Sequence, residues 1–175
     1  MVKGGTTKNR FKMKNKITIR KIRKSELAFL DDMLYETIYI PEGDEKPSKD
    51  VINLPEVAHY IKNFGRAGDL CLVAELNDEL VGAIWARLFS KDEPGYGFID
   101  ENTPELAMAV RAENRSQGIG KLLMEKMIQK LKEESYKQVS LSVDKQNYAS
   151  DFYLKCGFEV VESTEDSFTM VKRLN

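Results

Sequence analysis

Residues 104–131, P-E-L-A-M-A-V-R-A-E-N-R-S-Q-G-I-G-K-L-L-M-E-K-M-I-Q-K-L, decide how the rest of the chain is read. Residues 106–110 are a short apolar run of the kind that forms a buried strand. Residues 111–117 are polar. Gly118 and Gly120 then bracket Ile119, and a helical pattern follows. Ile119, Leu122, Leu123, Met127, Ile128 and Leu131 share one broad face, with Lys121, Glu125, Gln129, Lys132 and Glu133 opposite. Strand, tight turn and helix in this order make an anion site. A helix start carries unpaired N–H groups and the positive end of the helix dipole. Glycine there lets a bulky phosphate reach the backbone without meeting a Cβ. Arg115 and Lys121 flank the turn and add charge, so a pyrophosphate is the ligand that fits best.

The glycines alone leave the ligand open. A P-loop is excluded because no Gly-Lys-Ser/Thr follows at the required spacing. A dinucleotide fold fits poorly, since G-I-G-K-L-L lacks the third glycine and the strand comes late in the chain. A glycine turn that binds nothing stays open on these residues. The flanking sequence separates the readings. R-S-Q-G-I-G at 115–120 resembles the R/Q-x-x-G-x-G/A motif of the GNAT superfamily of acyl-CoA-dependent N-acetyltransferases, and it follows a strand-like E-L-A-M-A-V. Asn147 and then A-S-D-F-Y-L-K-C-G-F at 149–158 resemble the second motif of that family. The resemblance spans residues 16–175 and is strongest from Glu105 to Phe158.

Composition agrees with a soluble globular chain. It has 175 residues, 42% hydrophobic and 31% charged, a net charge of −1 and a pI near 6.0. That balance gives no electrostatic case for nucleic acid. No apolar run approaches the ~20 residues of a membrane span, and no signal-peptide core follows Met1. Cys71 and Cys156 lack metal-like spacing, sit in apolar surroundings and read as buried free thiols, which suits a reducing, cytoplasmic compartment.

In chain order, residues 1–15 read as a flexible basic tail, in which Met13 offers an alternative start, and residues 16–175 as one domain. Ile17, Ile19 and Ile22 open a strand. Ser25 is an expected N-cap for a helix carrying Leu27, Leu30, Leu34 and Ile38. Pro55 opens a second helix with Val57, Tyr60, Ile61 and Phe64 on its apolar face, stopped by Gly65. That places His59, the only histidine, on the solvent side and leaves no second histidine for a metal site. Residues 70–76 and 80–89 read as a hairpin, with Trp85 a core residue. Residues 41–53 and 90–103 are long loops. The second is acidic and aromatic, and reads as a solvated surface loop that would suit a cationic amine. Residues 139–143 alternate as a strand, a short helix follows up to Gly157, and residues 158–162 and 168–174 form a final strand pair. The expected order is β-α-α-β-β-β-α-β-α-β-β. The resemblance implies an α/β fold with a mixed, mostly antiparallel sheet, splayed at the cofactor site and flanked by helices on both faces.

The resemblance also implies chemistry. The cosubstrate would be acetyl-CoA, with no metal, and the acceptor a primary amine on a small molecule or peptide. Tyr153 matches the tyrosine that protonates the departing thiolate. Its phenol, with an ordinary pKa of ~10, stays protonated and donates. Glu105, at the strand start, is the expected base, with Asp100 and Glu101 in reserve. A strand bulge at Met108, Ala109 and Val110 would expose backbone N–H groups to the oxyanion and the pantetheine arm. Arg115, Ser116, Gln117, Gly118, Ile119, Gly120 and Lys121 would hold the pyrophosphate. Asn147 would bond the pantetheine arm or order the next helix. Neither nucleic acid nor membrane is an expected partner, and a homodimer stays open because family members are often dimers. The alternative is a GNAT-like module that senses acyl-CoA without useful turnover.

Overall fold

The computed structural model describes residues 16–175; the tail expected over residues 1–15 lies outside them. The elements run β1 (Ile17–Lys21), α1 (Phe29–Thr37), α2 (Pro55–Ala58), β2 (Leu70–Leu76), β3 (Glu79–Arg87), β4 (Glu105–Val110), α3 (Ile119–Glu133), β5 (Gln138–Asp144), α4 (Ala149–Lys155), β6 (Glu159–Ser163) and β7 (Ser167–Arg173). The order of strands and helices is the one the sequence pattern implies. Among the described residues the strands form one seven-stranded sheet in the order β1-β2-β3-β4-β5-β7-β6. Neighbours pair antiparallel except β4 and β5, which are parallel and meet at a single rung, Glu105↔Ser140. Beyond that rung β5 stays paired to β7 along Gln138–Asp144 while β4 stays paired to β3. The two central strands therefore diverge, and the sheet opens between them.

The sheet separates two cores. On one face, Ile119, Leu123, Met124, Met127 and Leu131 of α3 pack on Ile84, Leu106 and Leu141, joined by Tyr153 and Phe158. On the other face, Leu30, Met33 and Leu34 of α1 pack on Val73, Ala83, Trp85 and Ala109, joined by Tyr60 and Phe89. β3 is buried on both faces, as a central strand must be. Met124 takes the buried place on α3 that helical spacing gives to Leu122, which is exposed. No helix among the described residues is long and apolar enough to cross a membrane.

Two sequence expectations fail locally, and both have physical causes. Ser25 is not an N-cap; it lies within a 3₁₀ turn, Lys24–Glu26. Glu26 organises that entry instead, accepting from the Arg23 N–H and pairing with Arg20, whose guanidinium drops its carboxyl to about 2. The second helix also stops at Ala58 rather than running to Gly65. In a helix the carbonyls of residues 59–62 would accept from N–H groups four residues on. Here Arg87 Nη1 donates to the His59 and Lys62 carbonyls, and Trp85 Nε1 donates to the Tyr60 carbonyl. Asn63, at φ 52, then turns the chain away.

Arg87 is itself buried and paired with buried Asp69 through two bonds of 2.9 and 2.7 Å. Removing one charge strands the other in a low-dielectric interior. Asp69→Ala should lower stability by about 3–5 kcal/mol, and an Asp69→Leu/Arg87→Met double substitution should cost less than the sum of its parts, measured by urea denaturation.

Candidate active site

The opening between β4 and β5 exposes backbone. The Arg111 N–H donates to the Val81 carbonyl, so it faces β3. N–H groups alternate between strand edges; those of Met108 and Val110 therefore face the gap, and that of Ala109 faces β3. The expected bulge is absent: the β3–β4 register runs unbroken from Gly82↔Val110 to Arg87↔Glu105. Divergence of β5, rather than a bulge, frees these donors.

At the end of β4 the chain makes a 3₁₀ turn, Ala112–Asn114, and enters α3. The last turn bond before the helix runs from the Arg115 N–H to the Ala112 carbonyl, and the first bond into it from the Leu122 N–H to the Gly118 carbonyl. Between them, the N–H groups of residues 116–121 have no hydrogen-bond partner among the described residues. Ser116 at φ 61 and Gly118 at φ 81 are left-handed and curl these donors together. A Cβ on Gly118 would meet nothing within 4 Å, so the cradle is open. Arg115 borders it, held by Glu36 of α1 at 2.9 Å and by the Val110 carbonyl. Lys121 is exposed and leans towards Glu125 at 4.0 Å. Gly120 faces Met108 and Phe152, which ties the cradle to β4 and α4.

Glu105 lies at the closed end of the gap, facing the α1 core, and is only 3% exposed. Its Oε1 accepts from the Tyr60 hydroxyl at 2.5 Å and from the Gly97 N–H at 2.9 Å. Tyr60 in turn accepts from the Tyr96 N–H at 2.8 Å. Residues 95–97 thus form a strap across the carboxylate. Only glycine permits the fit: a Cβ on Gly95 would lie 1.9 Å from Glu105 Oε2, and one on Gly97 would lie 2.6 Å from the Leu141 carbonyl carbon. Burial pushes the Glu105 carboxyl up to about 7 against the opposing pull of its two hydrogen bonds. Burial, with the Glu105 charge second, also drives the Tyr60 phenol far above its ordinary range, so Tyr60 stays a donor.

Tyr153 sits on the opposite face, in the α3 core, edge-on to Phe152 and Phe158. Burial, then the nearby Cys156, push its hydroxyl up to about 12. Asn147 accepts from the Ala149 N–H at 2.9 Å, so its side chain orders the start of α4.

A family model described as Acetyltransferase (GNAT) family matches residues 32–158. The chain belongs to the GNAT acetyltransferase family. A comparison with curated proteins returns no match. Among solved structures, the chain is similar to PaiA N-acetyltransferase from Thermoplasma acidophilum in complex with coenzyme A, at 26% identity and a TM-score of 0.62, over 90% of this chain and 99% of that one. It shares its fold with YncA, a putative acetyltransferase from Salmonella typhimurium with acetyl-CoA, at 21% identity and a TM-score of 0.64, over 92% and 95% of the two chains. It also shares its fold with a ribosomal-protein-alanine N-acetyltransferase from Brucella melitensis, at 23% identity and 0.64, over 90% and 99%.

In this GNAT chain the structure brings residues 108–110 and 115–121 together at one mouth of the gap and sets Glu105 at its closed end. Glu105 and Tyr153 do not touch; they lie on opposite faces. The reserve carboxylates are engaged elsewhere. Asp100 accepts from Asn102 and Thr103, and Glu101 from the Lys91 N–H. The 90–103 loop is not merely solvated, because Gly95 and Gly97 are buried. His59 is half-buried against Tyr60 and Phe89, not on the solvent side, and burial lowers its pKa. A cleft of about 420 Å³ beyond it is bordered by Lys62, Arg66, Phe89 and Glu93, away from Glu105. Cys71 is buried, its thiol pushed up to about 12, whereas Cys156 is partly exposed. Sequence reasoning missed Tyr60, Gly95, Gly97 and Ser140. Only P-G-Y-G-F at 94–98 carried a signal, two glycines flanking an aromatic.

The sign of the pH dependence follows from the raised Glu105 carboxyl. Between the ordinary 4.5 and about 7, the folded chain holds a proton that the unfolded chain has released. The associated stability is complete below the unfolded value and is lost as pH rises through about 7. The loss is on the order of 3 kcal/mol. Thermal midpoints measured from about pH 4 to 8 in the native chain and in Glu105→Gln should differ by a margin that falls across this window, the contributions of Glu26 and His59 being common to both.

Proposed function

We propose that the chain transfers an acetyl group from acetyl-CoA directly to a primary amine on a small molecule or peptide, with Glu105 as base and Tyr153 as acid. The observation that carries this reading is the open run of unpartnered N–H groups at residues 116–121, seated beside a sheet gap with a raised carboxyl at its base. Similarity to a PaiA N-acetyltransferase in complex with coenzyme A supports the same cosubstrate here. The cradle fits a pyrophosphate, because its donors converge and its glycine leaves the approach clear. Arg115 and Lys121 would add charge, and Asn147, its carbonyl oxygen engaged, would keep its amide N–H₂ for the pantetheine arm.

An amine with a pKa near ~10.4 is protonated at neutral pH and must lose a proton to attack. Glu105 takes that proton, and its position near neutrality suits the task. The amine nitrogen then bonds to the thioester carbon. Met108 and Val110 N–H groups stabilise the oxyanion, and the C–S bond breaks as Tyr153 gives its hydroxyl proton to the departing sulfur. The nitrogen sheds its second proton as the amide forms, which restores the Tyr153 hydroxyl through solvent, and Glu105 later releases the first proton to solvent. Residues 95–97 seal Glu105, so the strap must yield for the amine's proton to reach it. The exposed Asp92 and Glu93 on the same loop favour a cationic acceptor.

That same seal favours a second reading, a module that binds acyl-CoA without turnover. Thiol release from acetyl-CoA, assayed over a panel of amines and peptides, separates the two. Amine-dependent release should rise as pH passes through about 7. Tyr153→Phe should cut it by roughly 10²–10⁴-fold while leaving CoA affinity nearly unchanged. CoA binding with no release from any acceptor would select the sensor.

Cradle binding is tested separately. Gly118→Val places a β-branched side chain at φ 81 and in the phosphate's approach. It should weaken CoA binding by at least about tenfold in calorimetric titration, given that one lost charge-assisted hydrogen bond is worth about 1.5–3 kcal/mol.

A further inference from the structure

Buried side-chain atoms without a hydrogen-bond partner among the described residues are His59 Nε2, Glu105 Oε2 and Ser140 Oγ. The last two belong to one rung, the single position where β4 meets β5. Residues facing each other on a parallel rung project from the same side of the sheet, and neighbouring strands lie about 4.7–4.9 Å apart. Ser140 alternates with Val139 and Leu141, which belong to the α3 core, so it faces the α1 side, as Glu105 does. The strap covers both. Gly95 lies against Glu105 Oε2, while Gly97 lies against the backbone of Leu141 and Ser142, next to Ser140. A carboxylate oxygen and a hydroxyl, each fully buried and each unpaired, are costly separately. Side by side under one cover they share a solution, since a buried water bonds two to four polar groups.

We propose that Ser140 is a positioning residue for Glu105, its hydroxyl acting through one water enclosed beneath the strap on Glu105 Oε2. This rests on the reading of Glu105 as the base. Oε1 already accepts from Tyr60 and Gly97, so Oε2 is the oxygen that receives the amine's proton. Before transfer, the Ser140 hydroxyl donates to the water and the water donates to Oε2. After transfer, the new O–H on Oε2 donates to the water, and the Ser140 hydroxyl turns to accept. A backbone N–H cannot reverse in this way; a hydroxyl and a water can.

The other groups around Glu105 are accounted for. Tyr60, from the turn after α2, donates to it, and Tyr96 of the strap acts through Tyr60. Arg87, opposite on β3, is engaged with Asp69, and His59 lies beyond Tyr60 against Phe89. On β5 the same face carries Gln138 and Ser142, both uncharged, and Asp144 at the far end, bonded to the Gln146 N–H.

The test is an infrared titration of the Glu105 carboxyl band in the full chain without substrate, assigned by its loss in Glu105→Gln. Removing a donor from the ionised form raises its pKa, so Ser140→Ala should move the titration up by about half to one pH unit. The acid limb of kcat/KM should move with it, leaving the KM for acetyl-CoA unchanged. Ser140→Cys, which keeps a weak donor, should fall between. An unmoved titration in Ser140→Ala overturns the proposal. A moved titration without acyl transfer at any pH supports the Ser140–Glu105 link and sinks only the base assignment.

Discussion

Buried Arg87 fixes the half of the molecule that holds Glu105. Its charge is matched by Asp69, and its remaining donors reach the carbonyls of His59 and Lys62. With Trp85 on the Tyr60 carbonyl, these bonds replace the helical bonding of the segment after α2 and hold it as an irregular turn. The turn sets the Tyr60 hydroxyl on Glu105, and Tyr60 in turn ties down the strap through Tyr96. A buried ion pair of this kind is weak evidence for net stability, because desolvation offsets much of the attraction. Its clearer consequence is positional, since a guanidinium with fixed donor directions specifies where each carbonyl must sit.

The other constraint is topological. A sheet with one parallel step between two antiparallel halves cannot keep both halves twisting together unless that step stays paired. Here it is paired only at Glu105↔Ser140. Divergence beyond the rung supplies free backbone donors and leaves an enclosed polar corner at the apex. The run of open N–H groups at residues 116–121 follows directly, because β4 delivers the chain to the start of α3 at the mouth of the gap.

The fold was legible because its strands and long helix carry strong periods. The β2–β3 hairpin, α3, α4 and the final strand pair all lie within a few residues of their sequence readings. The cradle was legible because glycine and polar residues punctuate an apolar strand and an amphipathic helix. Three features were not. The second helix failed because tertiary donors on β3 took its carbonyls, which no local pattern records. Burial of Glu105 depends on a strap contributed by a distant loop, and charge in that loop signals solvent rather than cover. Ser140 looked like the polar half of an alternating strand, yet its face is roofed by residues 95–97.

The two cores described above share no helix: α3 lies on one side of the sheet and α1 on the other. The sheet therefore acts as a partition between two mutational compartments. Changes in α1, in the turn after α2 or in the strap alter the surroundings of Glu105 while leaving the α3 packing that shapes the cradle untouched. The bond from Arg115 to Glu36 is a point where the compartments meet, at an exposed and exchangeable ion pair. A scaffold divided in this way can diversify one face while conserving the chemistry of the other.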